Sequence, residues 1–110
     1  MIPNFPKVIA MDFDGTLFET NYPKILEPNL PLIRKCIELQ SRGYLISLWT
    51  CRKGKELREA VDACASQGLI FDHINKNEKK RIRYYGDSRK MSADYYIDDR
   101  AISFGSFLKL

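Results

Sequence analysis

Short apolar runs alternate with stretches of helical periodicity along the chain, and this alternation constrains the fold more than any other feature. Residues 7–12 and 44–49 are continuous apolar runs, typical of strands buried on both faces. Residues 69–74 predict a weaker third strand, and residues 93–97 predict a fourth. The last residues predict a further edge strand around 102–104.

Helical patterns fill the gaps between these runs. The first helix is predicted to end at Gly43 and the second at Gly68, since glycine favours helix ends, and the basic stretch 77–85 predicts a short third helix. Prolines before the first helix predict an irregular connection there: Pro23, Pro28 and Pro31. Strands separated by helices predict an α/β fold with a mostly parallel sheet and helices on both faces.

Size and composition fit one compact domain covering residues 1–110, since 45% apolar residues can fill a single core. No apolar run approaches the roughly 20 residues that span a bilayer, and the N-terminus lacks the pattern of a signal peptide. We therefore expect a cytoplasmic protein with no membrane partner. The odd number of cysteines argues against a disulfide framework and predicts small buried residues at Cys36, Cys51 and Cys64.

Positive charge is concentrated in residues 75–90, within a chain of net charge +4 and pI near 9.0. Such a run could attract a polyanion such as nucleic acid. A charge run on a helix is more often its solvated face, and we favour that interpretation.

Polar side chains end three of the predicted strands. Asp12, Thr50 and Asp98 each follow an apolar run, and the carboxyl ends of parallel strands share one edge of a sheet, where ligands bind. Asp14 lies two residues beyond Asp12 and projects to the same side, while Asp99 adds a further carboxylate. Like charges this close favour a hard dication, and oxygen ligands without His or Cys favour Mg²⁺.

The opposite side of this edge is suited to a phosphate. Thr50 offers a hydroxyl, and the amides that open the following helix attract anions. Lys90 precedes the fourth strand and could supply a positive charge. A nucleophile, a metal and phosphate-binding groups together favour phosphoryl transfer.

The run Asp12-Phe13-Asp14-Gly15-Thr16 resembles the first motif of the haloacid dehalogenase-like (HAD) phosphatase superfamily. Thr50 resembles the second motif, Lys90 the basic third motif and Asp98-Asp99 the acidic fourth motif. The resemblance covers essentially the whole chain. It implies a three-layer α/β/α sandwich with a Rossmann-like core.

The resemblance also implies a mechanism. Asp12 would attack phosphorus to form an aspartyl-phosphate, while Asp14 would protonate the leaving oxygen and then activate the hydrolytic water. Mg²⁺ would bind Asp12, the Asp14 carbonyl and Asp98, with Asp99 acting directly or through a water.

Thr50 and Lys90 would hold the phosphoryl oxygens in such an enzyme. The lysine is the least determined of these residues, because Lys76 and Lys80 lie nearby as alternatives. Lys90 is preferred for its closeness to the fourth strand.

HAD phosphatases usually carry a cap domain, and this sequence leaves no room for one. About ten residues separate Leu17 from Pro28, and about fifteen separate Ile74 from Lys90. An open, capless site could admit a nucleotide, a polynucleotide end or a phosphoprotein, or a neighbouring subunit of a homo-oligomer could cover it. The basic stretch mildly favours nucleic acid.

Several residues near these motifs are assigned structural roles. Arg52 and Lys53 are interpreted as solvated residues at a helix start, with contact to substrate as the less favoured alternative, and His73 as structural. Aromatic residues at strand positions are assigned to the core: Trp49, Tyr95 and Tyr96.

A non-enzymatic rival is a receiver-like phosphoacceptor, or a basic nucleic-acid-binding module, on the same scaffold. Asp14 favours the enzyme, because turnover needs a general acid and base.

Overall fold

The computed structural model describes residues 4–110, so the first three residues of the predicted domain lie outside it. Along the chain its elements are β1 (Val8–Met11), β2 (Phe18–Asn21), β3 (Lys24–Pro28), α1 (Leu30–Ser41), β4 (Leu45–Leu48), α2 (Gly54–Ser66), β5 (His73–Ile74), α3 (Lys79–Tyr85), β6 (Tyr95–Ile97) and α4 (Phe104–Leu108). The four predicted strands and three predicted helices are confirmed.

The central sheet is parallel, with the strand order β5-β4-β1-β6. The chain moves outward from β1 through α1 and α2 to β5, and then returns across the sheet through α3 to β6. Because such crossovers are right-handed, α1 and α2 cover one face and α3 covers the other. The protein is a Rossmann-like three-layer α/β/α sandwich, with no cap domain within residues 4–110.

The main hydrophobic core lies between the sheet and the first two helices. Ile9 and Met11 of β1 pack with buried residues of those helices, including Ile33 and Cys64. Every residue of β1 is buried, because this strand has a neighbour on each side and helices over both faces. The central position of β1 places the residues that follow it in the middle of the carboxyl edge.

The predicted irregular connection after β1 is wrong, because β2 and β3 form an antiparallel hairpin there. Its prolines mislead because Pro23 lies at the turn and Pro28 at the last residue of β3, while Pro31 lies in the first turn of α1 and not before the helix. At these positions a missing N–H interrupts no central ladder.

The predicted edge strand around 102–104 is also wrong. The Ser103 hydroxyl accepts from Ser106 N at 3.1 Å and caps α4, which begins at Phe104. This local hydrogen bond favours a helix start over a strand.

Three aromatic residues assigned to the core are exposed instead: Trp49 at 37%, Tyr95 at 53% and Tyr96 at 37%. The tyrosines lie on β6, which is an edge strand with β1 as its one sheet neighbour. Trp49 lies just beyond β4, and its ring packs against that of Tyr96 at 5.6 Å between centroids.

The basic residues of α3 do not all lie on a solvated face, contrary to the prediction from the sequence. Arg81 is buried and donates to Asp94 Oδ2 at 2.6 Å, and the same oxygen accepts from Val8 N at 2.8 Å. This ion pair fixes α3 to the start of β1.

Cys36 and Cys64 are buried as predicted, whereas Cys51 is exposed. Among residues 4–110, no helix is long and apolar enough to cross a membrane.

Candidate active site

All four strands of the sheet end at one edge, and each is followed there by a polar side chain. Asp12 follows β1, Asp98 follows β6 and Asn75 follows β5, while Thr50 comes two residues after β4. Asn75 joins two of these ends, because its side chain accepts from Thr50 N at 2.8 Å and donates to Thr50 O at 3.0 Å. The amide of Asn75 thus holds the backbone of Thr50 on both sides.

A cavity of about 500 Å³ opens at this edge. The four predicted carboxylates line it together with Thr50: Asp12, Asp14, Asp98 and Asp99. Three hairpin residues that were not predicted for the site line it too: Thr20, Asn21 and Tyr22. Cys51 and Arg100 line it as well, and neither was predicted. Their proximity to Thr50 and Asp99 in sequence is the one signal that could have indicated them.

Three carboxylates form a compact cluster in this cavity. Asp12, Asp98 and Asp99 each place one oxygen within 4.8 Å of the others. Neighbouring ligands of an octahedral Mg²⁺ lie about 3 Å apart and opposite ligands about 4.2 Å, so the three carboxylates would have to draw closer together around a bound ion. Burial raises the pKa of Asp12 to about 6, and the charges of Asp98 and Asp99 raise it too, while the hydrogen bond from Thr16 lowers it. The donor set therefore fits a hard dication.

The loop after β1 holds this cluster in place. The Thr16 hydroxyl donates to Asp12 Oδ2 at 2.9 Å and accepts from Asp99 N at 3.1 Å, so one side chain connects the first and fourth predicted motifs. Gly15 has φ +77°, and a Cβ placed there would overlap the Asp99 carboxylate. Only glycine can adopt this backbone without displacing Asp99.

Asp14 takes no part in the carboxylate cluster. Both of its oxygens accept from Arg52, at 2.8 Å from Nε and 2.7 Å from Nη2. The hydrogen bonds from Arg52 hold the pKa of Asp14 below its usual range.

The prediction that Arg52 is solvated is wrong, since its side chain is 1% exposed. Its guanidinium lies between the rings of Phe13 and Tyr22, at 5.0 and 4.9 Å from their centroids. It also donates to the carbonyls of Pro23, at 3.2 Å, and Glu56, at 3.3 Å. Sequence reasoning missed this position because the hairpin that covers it was not predicted.

Lys90 lies apart from the carboxylates. It lines a different cavity with Arg81 and Tyr85, and none of the residues that line the Asp12 cavity lines this one. Its Nζ lies 5.6 Å from the centroid of the Tyr96 ring. Lys76 lines a third cavity, which shares Thr50 with the Asp12 cavity.

Comparison with known proteins gives one informative similarity. The chain resembles a solved structure described as a conserved protein coded by a locus from Bacteroides thetaiotaomicron, with a TM-score of 0.77 and 36% sequence identity over 94% of this chain and 87% of that one. No protein-family model and no curated protein matches the chain. With this identity over nearly its whole length, the chain belongs to the family of that conserved Bacteroides thetaiotaomicron protein.

Proposed function

We propose that the protein is a magnesium-dependent phosphomonoester hydrolase of the HAD type. The observation that carries this proposal is the cluster of Asp12, Asp98 and Asp99, whose oxygens lie within 4.8 Å of one another at the carboxyl edge of a parallel sheet. The order of the motifs along the chain supports it. Mg²⁺, bound by these carboxylates, would supply positive charge for the phosphoryl oxygens.

The side chains of the cavity take different roles in the proposed reaction. Asp12 lies at the end of β1 and is the nucleophile, forming an aspartyl-phosphate on phosphorus. Thr16 holds its Oδ2 at 2.9 Å, which leaves the other carboxylate oxygen for the attack. Thr50 donates a hydrogen bond from its hydroxyl to the phosphoryl group. Lys76 lines a neighbouring cavity that shares Thr50, and it replaces Lys90 as the candidate phosphate-binding lysine.

Asp14 acts as general acid and then as general base. Because the hydrogen bonds from Arg52 hold the pKa of Asp14 below its usual range, Asp14 can carry a proton to the leaving oxygen only after that pairing has weakened. The hairpin carries Pro23 and Tyr22, which contact Arg52, so a shift of the hairpin on substrate binding would release Asp14.

The test is phosphate release from p-nitrophenyl phosphate with Mg²⁺ or with EDTA. We expect metal-dependent turnover in the wild type and none in Asp12→Asn. A matched control is Asp62→Asn, which changes the same charge on the exposed surface of α2 and should retain activity. An active Asp12→Asn variant would rule out the proposed nucleophile.

A second candidate, a receiver-like phosphoacceptor, is favoured by the engagement of Asp14 with Arg52. If that pair stays closed, an activated donor can still phosphorylate Asp12, and the product persists. Incubation with an acyl phosphate and Mg²⁺, followed by mass spectrometry, distinguishes the two functions. A phosphoprotein that lasts for hours without turnover favours the phosphoacceptor, and a transient one favours the hydrolase.

A further inference from the structure

A second cavity, of about 380 Å³, adjoins the Asp12 cavity and shares Thr50 with it. Trp49, Lys76 and Arg89 line it, and Trp49 is 37% exposed. A molecule whose phosphate lies beside Thr50 in the first cavity can therefore place its other groups in the second.

The two cavities differ in charge. Four carboxylates and Arg100 line the first, so it attracts a phosphate only when a cation is bound. Lys76 and Arg89 line the second with a single carboxylate, Asp87, whose Oδ1 accepts from Asn77 Nδ2 at 3.2 Å. Among the ion pairs within residues 4–110, none includes Lys76 or Arg89. The second cavity is thus cationic without a metal.

Trp49 adds an aromatic surface to this cationic cavity. Its ring packs against the ring of Tyr96 at 5.6 Å between centroids, which orients it, and the residue is still partly accessible to solvent. An exposed indole beside an arginine is suited to stack a flat ring and to hold an anion next to it.

We propose that this second cavity binds the leaving group of the substrate, and that the leaving group carries an aromatic ring and a second anionic group. Trp49 stacks the ring, and Arg89 binds the second anion. A nucleoside bisphosphate and a 5′-phosphorylated oligonucleotide end share this chemistry. The assignment of the bound molecule as substrate rests on the proposed hydrolase function.

Trp49 is the single tryptophan of the chain, so its fluorescence reports on this cavity alone. The experiment titrates adenosine 3′,5′-bisphosphate with Mg²⁺ into the Asp14→Asn variant, which keeps the cluster of Asp12, Asp98 and Asp99, and follows Trp49 quenching. We expect saturable quenching, and a Kd about 10-fold higher when Arg89→Ala is added. Arg83→Ala is the matched control, because it removes the same charge from the same basic stretch at an exposed position, and it should leave Kd unchanged.

Further ligands test the contributions of the second anion and of the ring, and they distinguish a nucleotide from a polynucleotide end. Adenosine 5′-monophosphate, which lacks the second anion, should bind about 10-fold more weakly, and a sugar bisphosphate without a ring should cause no quenching. A 5′-phosphorylated dinucleotide that binds more tightly than the bisphosphate identifies a polynucleotide end as the source, and the reverse order identifies a nucleotide.

Two results would overturn the proposal: no quenching by any of these ligands, or an equal loss of affinity in Arg83→Ala and Arg89→Ala, which would indicate general charge attraction. Failure of the hydrolase itself is visible separately, because wild-type protein without turnover would still show the Trp49 quenching.

Discussion

Arg52 donates two parallel hydrogen bonds to Asp14, at 2.8 and 2.7 Å, from a guanidinium that is almost fully buried. The pair connects the loop after β1 to the start of α2, and Tyr22 and Pro23 extend the contact to the hairpin. The residue assigned to proton transfer is therefore held by the same side chain that holds the hairpin.

Removing this guanidinium should destabilise the fold. Arg52→Ala leaves Asp14 without its partner and opens a gap between the Phe13 and Tyr22 rings, so we expect the free energy of unfolding to fall by about 2 kcal/mol. Urea denaturation measures the loss. Arg42→Ala removes a solvent-exposed ion pair with Glu38 and should have little effect on stability. Equal losses in the two variants would contradict a structural role for Arg52.

Metal binding should depend on Asp98. The neutral amide in Asp98→Asn removes one ligand charge, so we expect Mg²⁺ to bind at least about 10-fold more weakly. Mg²⁺ should raise the melting temperature of the wild type by mass action, and the variant should show a much smaller rise. Without metal the variant should be at least as stable as the wild type, because Asp98 and Asp12 repel each other. An undiminished Mg²⁺ shift would exclude Asp98 as a ligand.

Gly15 can be tested against a second glycine with a similar backbone. Gly15→Ala and Gly43→Ala both place a side chain at positive φ, +77° and +92°, and each should lose about 1 kcal/mol of stability. Only at Gly15 does the new Cβ overlap Asp99. We therefore expect Gly15→Ala alone to lose the Mg²⁺-dependent rise in melting temperature, as measured by thermal scans of both variants. The same rise in both would show that Asp99 is not needed at its present position.

The three thiols should differ in reactivity. Burial raises the pKa of Cys36 to about 11 and that of Cys64 to about 12, so at pH 8 both are protonated as well as inaccessible. Cys51 is exposed and lines the Asp12 cavity. A disulfide reagent should modify one thiol in the native protein and three after denaturation. Cys51→Ser should abolish the native reaction, and a second fast thiol would contradict the burial of the other two.

The sheet could be predicted because its signal is local. The apolar runs at β1 and β4 are continuous, since strands covered on both faces need no polar side. The burial of β6 could not be predicted, because the sequence pattern of this edge strand resembles that of a central strand. Its two tyrosines are exposed. Which strand lies at an edge depends on the order of all four.

The positions of Asp12, Asp98 and Asp99 at one edge followed from the same local patterns, since parallel strands end together. Lys90 could not be assigned in this way. It follows no strand, and the irregular segment 86–90 carries it to a cavity that the carboxylates do not line. Lys76 follows β5 closely and therefore stays near Thr50.

Periodicity and chain order by themselves determined the α/β class, the parallel sheet and the convergence of the carboxylates. Each of these conclusions depends on local patterns, namely an apolar run and the polar residue that ends it. Only the tertiary structure decided that Arg52 is buried against Asp14, 38 positions away, and that Trp49 is left accessible. Both outcomes depend on what covers a side chain, and the hairpin and the sheet edge that decide this come from distant parts of the chain.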